Sequence, residues 1–291
     1  MVKLLISAGV ALALVCKPPA AGDGMAARNL RLEQSVYFLE PVAFAMWKHV
    51  SGGATAPGVD IAAEWNRAAN TDRISAATFP TTDGRTLHGF RIAARGEARA
   101  FLLVALGNAM TAEQVVGHFA ALHNGDIDIY LADYRGYGHS EGKTRLRALI
   151  HYFRTVFSDL KSRPEYTRAF ALRISMGGVI VSNALLKNGI QADGIAIDGT
   201  PSTLPRGLCP RDYDPAKVVQ ETAGVTHDIL LTSGGTDRVV SRAWMGPLIR
   251  AVEARGGTTV LKEHYDHPFI EPLGTTLERF NRAMKFFSAR M

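Results

Sequence analysis

Cysteine is almost missing from this chain. The 291 residues hold two, Cys16 and Cys209, and Cys16 falls in a segment expected to be removed. Cys209 would then stand alone, so no disulfide framework within the chain is available and the fold must rest on its core. Long apolar runs are also missing. The longest candidate, LLISAGVALALV at residues 4–15, falls short of the about 20 residues that a membrane-spanning helix needs. Basic runs that would track a phosphate backbone are absent, although Lys and Arg outnumber Asp and Glu by 33 to 27. Nucleic acid is therefore not an expected partner, and the excess charge of +6 reads as a solvated face before an attraction to anionic lipid or an acidic substrate. No metal-ligand cluster and no dinucleotide fingerprint is visible, so no metal and no cofactor is implied. What remains is an ordinary globular composition, 47% hydrophobic and 21% charged, long enough for one large domain.

The N-terminus reads as an export leader over residues 1–22. Lys3 supplies a short positive start, residues 4–15 an apolar stretch, and Pro18 and Pro19 break it ahead of small residues. A periplasmic or secreted location follows. Lipidation at Cys16 is the lesser reading, because Val15 is bulkier than the small residue that signal prefers. Residues 23–73 read as a helical and irregular segment. Its aromatic stretch VYFLEPVAFAMWKHV around Pro41 could make a peripheral membrane contact, but packing on the flank of the domain is preferred. SGGATAPG, residues 51–58, is the clearest break in the chain.

Residues 74–291 carry a regular pattern. Two short β-like runs flank Asp83-Gly84, a hairpin signal. AFLLVAL, DIDIYLADY, RAFALRI, GIAID, DILLTSG and TTVLKEH then follow as strands, several of them continuously apolar, as in a parallel sheet buried on both faces. Helical patterns lie between them. One places Leu146, Leu149, Ile150, Phe153, Phe157 and Leu160 on a single face. The last places Leu273, Leu277, Phe280, Met284 and Phe287 inward. The expected class is α/β: a mostly parallel sheet with helices on both faces and an N-terminal antiparallel hairpin.

Ligands bind such sheets at the C-terminal ends of the strands, and three reactive residues fall there: Ser175, Asp237 and His267. A serine alcohol is a poor nucleophile at neutral pH. It needs an imidazole to take its proton and a carboxylate to fix that imidazole's tautomer. Each assignment has a plainer rival. A serine before a helix is commonly an N-cap, His264 competes with His267, and Asp198 is a reserve acid or a cap for the turn after it.

GNAMTAEQ after the first buried strand, DYRGYGHSEG after the next, ISMGG at the serine, and the SGGTDRVV and DHPF stretches together resemble the alpha/beta-hydrolases, and single-domain members without a large cap in particular. The resemblance runs from about residue 75 to the C-terminus. It implies an alpha/beta-hydrolase fold and a serine hydrolase in which Ser175 attacks an acyl carbonyl, His267 shuttles the proton and Asp237 orients His267. It further implies that the backbone N–H of Met176 and one from Asn108 or Ala109 hold the oxyanion. The implied substrate is a small acyl ester, or else a thioester or amide. Asp133 and Arg135 are expected to be structural, through an ion pair with each other.

Two positions depart from the pattern. Leu106 stands where a histidine is usual, and Arg173 stands two before the serine where a small residue is usual. The Arg173 head could run outward along the sheet edge or enter the pocket. The alternative function is therefore a catalytically silent member of the fold that binds a ligand.

Overall fold

The apolar runs form one eight-stranded sheet. β1 (Ile74–Pro80) and β2 (Thr86–Ile92) make the hairpin, with Ile74 opposite Ile92 and Pro80 opposite Thr86. β3 (Ala100–Ala105), β4 (Ile127–Ala132), β5 (Arg168–Ile174), β6 (Gly194–Asp198), β7 (Ile229–Gly234) and β8 (Thr258–Lys262) complete it, in the order β1-β2-β4-β3-β5-β6-β7-β8. β2 runs antiparallel to β4, and from β4 to β8 all neighbours are parallel. Every residue of β3, β4, β6 and β7 is buried, which is why these strands read as unbroken apolar runs without alternation. The computed structural model describes residues 54–123, 125–204, 211–222 and 228–291, with Leu32, Glu40, Pro41, Phe44, Ala45 and His49 as isolated positions. The expected leader, both cysteines and most of the aromatic stretch before residue 51 lie outside the described residues.

Among the residues described from 54 onward, seven α-helices connect and cover the sheet: α1 (Ile61–Ala68), α2 (Ala112–Leu122), α3 (Leu146–Lys161), α4 (Met176–Val181), α5 (Pro215–Glu221), α6 (Arg242–Glu253) and α7 (Leu273–Ser288). The chain steps one way across the sheet from β3 to β4, then reverses and steps the other way from β4 through β5 to β8. Right-handed crossovers therefore send α2 to one face and α3 through α6 to the other, with α1 and α7 packed on α2. Trp65 of α1 lies so close to Gly117 of α2 that a Cβ there would meet its ring at 1.9 Å. The direction reverses at β3, flanked by β4 and β5. In an open α/β sheet, that reversal at the C-terminal edge opens a crevice for ligands.

One helix is irregular, and one expectation needs correction. The helix after Ser175 does not run unbroken: α4 passes into a π-helical turn, Ser182–Leu186. There the Asn183 side-chain amide donates to Val179 O at 2.8 Å and to Tyr213 O at 3.0 Å, while the Lys187 N–H reaches back five residues to Ser182 O. Side-chain competition for a helix carbonyl of this kind widens the local turn. Asp133 and Arg135 do not pair with each other. Arg135 bonds Asp83 at the β1–β2 turn, with both side chains buried. The Asp133 carboxylate accepts from the Ala112 N–H at 2.6 Å. Burial opposes the charge on Asp83, but the Arg135 and Thr81 bonds outweigh it and hold its carboxyl below the usual range.

Removing one member of a buried ion pair strands the other charge, at a cost of about 3–5 kcal/mol. Asp83→Ala is therefore expected to lower the melting temperature by roughly 10 °C, read by thermal denaturation at neutral pH. An unchanged melting temperature would show that Arg135 does not depend on this partner.

Candidate active site

β5 delivers Ser175 through a sharp turn. Its backbone stands at φ 51°, ψ −117°, a left-handed conformation that costs a non-glycine residue about 1–3 kcal/mol unless its surroundings enforce it. They do enforce it here. The Ser175 N–H donates to Asp198 O at 2.8 Å, and Ser175 O accepts from the Gly178 N–H at 2.9 Å and from Thr200 Oγ1 at 3.1 Å. The helix entry is pressed against its neighbours. A Cβ at Gly177 would lie 2.2 Å from Ala105 O, and one at Gly178 would lie 2.0 Å from Thr200 Oγ1. Only glycine fits either position. Ser175 and Met176 are half-buried, and Met176 opens α4, where first-turn N–H groups have no helical partner.

Asp237 follows β7 and His267 follows β8. His267 Nδ1 and Asp237 Oδ2 are hydrogen-bonded at 2.9 Å, and both residues are buried. The other carboxylate oxygen accepts from the Val239 and Val240 N–H groups at 2.9 and 2.7 Å. A carboxylate accepts, so Nδ1 carries the proton and Nε2 is the nitrogen left to receive one. The ring lies over the end of β6: a Cβ at Gly199 would come within 3.2 Å of it, one residue beyond the carbonyl that holds the Ser175 N–H. His264 is far more exposed and lies 3.6 Å from Glu278, away from Asp237. Asp198 is committed elsewhere. Burial pushes its carboxyl up, and it bonds the Arg279 guanidinium, whose Nε lies 2.7 Å from Glu271 and whose Nη2 donates to Asp266 O.

Asn108 and Ala109 sit in the turn between β3 and α2, half-buried, with Ala109 at φ 62°. This turn borders the serine: a Cβ at Gly107 would contact Ile174, the residue before Ser175. The strands brought together here are those flanking the topological reversal. A narrow apolar crevice lined by Phe119, Leu172, Ile174, Phe269 and Phe280 opens beside Pro268, next to the histidine.

Arg173 takes neither of its expected paths. The side chain is fully buried behind the turn, where Nη1 donates to Ser182 Oγ and, at 3.4 Å, to Gly178 O. Its Nε and Nη2 have no hydrogen-bond partner among the described residues. Burial alone pulls the guanidinium pKa down to about 9. The head thus holds the first turn of α4 and the π-helical turn after it, on the face of β5 opposite Leu172 and Ile174, and it does not line the apolar crevice.

Sequence reading missed the strap that joins the acid and histidine loops. The Arg238 backbone N–H donates to Asp266 Oδ1 at 3.0 Å, and its side chain donates to Asp266 Oδ2 at 2.8 Å. Those bonds outweigh burial and lower the Asp266 pKa. The signal was present: an arginine directly after the acid and an aspartate directly before the histidine.

A protein-family profile described as serine aminopeptidase, S33, matches residues 96–206. That stretch contains the Asn108 turn and Ser175 but neither Asp237 nor His267. No curated protein matches the chain in sequence. Among solved structures, the Pyrococcus furiosus esterase Pf2001 superposes with a TM-score of 0.59 at 12% identity, over 81% of this chain and 97% of that one. XC6422 from Xanthomonas campestris, described as an α/β serine hydrolase without lid, gives 0.57 at 14% identity, over 74% of this chain and 95% of that one. The Porphyromonas gingivalis dipeptidyl peptidase 4 also gives 0.57, at 11% identity, but the 75% of this chain that aligns spans only 35% of that protein. At these identities the likeness is one of fold, and the fold is the alpha/beta-hydrolase fold.

Two outcomes follow from the buried groups. Ser182 lies four residues after Gly178, so with Arg173 gone its hydroxyl can bond the Gly178 carbonyl itself. Arg173→Met therefore removes a buried, unpaired charge and leaves no orphan, and it is expected to stabilise by about 1–4 kcal/mol in a denaturant titration. A loss of stability would show that the guanidinium is better satisfied than its contacts indicate. Burial raises the Asp133 carboxyl pKa to about 7. Between its unfolded value and about 7, the unfolded chain sheds this proton while the folded chain keeps it, so stability falls as pH rises through that window. Asp133→Asn is expected to flatten that slope in melting curves taken from acid to neutral pH. An unchanged slope would assign it to other carboxyls.

Proposed function

We propose that this alpha/beta-hydrolase-fold chain is a serine hydrolase that cleaves a small carboxylic ester through an acyl-enzyme. The observation that carries the reading is the 2.9 Å bond between His267 Nδ1 and Asp237, at the sheet edge that also holds Ser175 in its left-handed turn. Each part has a role that the others make useful. His267 Nε2 takes the proton from Ser175 Oγ as that oxygen attacks the acyl carbonyl, and Asp237 steadies the imidazolium that forms. The developing oxyanion is met by the Met176 N–H and by an N–H of the Asn108–Ala109 turn, donors worth about 10²–10³ in rate each. The leaving alcohol departs with the proton from Nε2, and a water molecule then frees the acyl group by the same route in reverse.

Amide substrates are the second reading, favoured by the serine aminopeptidase description of the matching profile. The chemistry is the same up to the leaving group, which is then an amine. The silent-fold alternative drew its motivation from Arg173 together with Leu106; of these, the Arg173 side chain lies behind the turn and outside the crevice, and Leu106 stands where a histidine is usual. Export through a leader at residues 1–22 belongs to the proposal on sequence grounds, and for the aromatic stretch near Pro41 packing on the flank of the domain is preferred to a peripheral membrane contact. Among the described residues, no helix is long and apolar enough to cross a membrane.

Fluorophosphonate labelling followed by intact-mass detection tests the reading. A single adduct that is lost in Ser175→Ala, together with turnover of short-chain aryl esters, is expected. Asp237→Asn is expected to keep the fold and lower kcat by about 10⁴, since the amide favours the wrong imidazole tautomer. Equal turnover by wild type and Ser175→Ala would remove the serine mechanism. Turnover of aminoacyl arylamides in preference to esters would select the amide reading.

A further inference from the structure

The loop after β4 grips the turn after β3 at three points. Tyr134 Oη donates to Leu106 O. The Asp133 carboxylate takes the Ala112 N–H at 2.6 Å, where α2 begins. Between these, Tyr137 Oη donates to Asn108 Oδ1 at 3.0 Å. Tyr137 is fully buried, so its hydroxyl cannot exchange this partner for water.

A phenol has one proton to give, and here it goes to Asn108. The Asn108 side-chain amide is fixed with its oxygen toward Tyr137, and its NH₂ end makes no hydrogen bond among the described residues. Ala109 beside it stands at φ 62°, so the two residues whose N–H groups are the candidate donors sit in one turn held from the β4 loop. We infer that Tyr137 is a positioning residue that orients the Asn108–Ala109 turn and with it the second oxyanion donor. The inference rests on the serine-hydrolase reading above.

The test compares wild type, Tyr137→Phe, Asn108→Ala and the double variant. Tyr137→Phe keeps the ring and removes only the hydroxyl. It is expected to lower kcat for a short aryl ester about 10-fold, short of the loss for a deleted donor because the amide is misplaced but still present. KM should change little, and the Ki of an aryl trifluoromethyl ketone, whose adduct carries an oxyanion, should rise in step with the loss in kcat. Asn108→Ala removes the acceptor that Tyr137 holds, so the double variant should be no worse than the poorer single variant. A wild-type kcat in Tyr137→Phe, or losses that multiply in the double variant, would overturn the inference. Should Tyr137→Phe fail to fold, Asn108→Ala reads the same contact from a half-buried position, and an unchanged kcat there overturns it equally. The parent reading fails separately: wild type without a Ser175 adduct removes both. An adduct that forms equally fast in wild type and Tyr137→Phe removes only the role of Tyr137.

Discussion

The crowding between β5, β3 and the end of β6 governs this molecule's working edge. Ser175 can occupy a left-handed backbone only because its N–H is tied to Asp198 O and because α4 enters directly against the Ala105 carbonyl and the Thr200 side chain. Any side chain at Gly177 or Gly178 would push the helix away and release the strain. The same compression brings the turn after β3 alongside the serine. Arg173, between Leu172 and Ile174 of β5, faces the other side of the sheet and packs against Ser182. The strained turn and the two glycines are linked effects of one close approach.

Charge is handled in two different ways around that edge. Most buried ions are neutralised at once: Arg279 serves Asp198 and Glu271, Arg135 serves Asp83, and Asp237 is held by two backbone N–H groups and the His267 ring. Arg173 differs from these: among the described residues it has neutral acceptors only. A desolvated cation without a carboxylate is costly, and a domain of this size can carry it because its core is large.

The strands were legible because burial on both faces writes itself as unbroken apolar sequence, as in AFLLVA of β3 and ILLTSG of β7. The location of the site at the C-terminal ends of the strands followed from the alternation of strands and helices, whereas the reversal of direction at β3 is visible only in the strand order. Asp198 also ends a strand, so the preference for Asp237 as the partner of His267 came from the resemblance, and the 2.9 Å bond between them agrees with it. Long polar side chains were less legible. Arg135 reaches Asp83, 52 residues away, and Arg173 reaches Ser182 through a helix that the sequence does not show to widen there. A flexible side chain with five donors finds its partner in three dimensions, and local pattern carries no record of that choice. The Tyr137 contact with Asn108 escaped notice for the same reason, although both residues lay in motifs already singled out.

The strap between Arg238 and Asp266 has a mechanical consequence. It joins the loop carrying the acid to the loop carrying the base, and the Asp237–His267 bond joins them again one residue along on each side. Doubly fastened, these loops form one unit on β7 and β8. Arg279 ties that unit to the nucleophile's side, because it bonds both Asp266 O and the carboxylate of Asp198, whose backbone oxygen holds the Ser175 N–H. The acid, the base and the nucleophile thus share one chain of bonds, and a substitution at any link of it bears on all three.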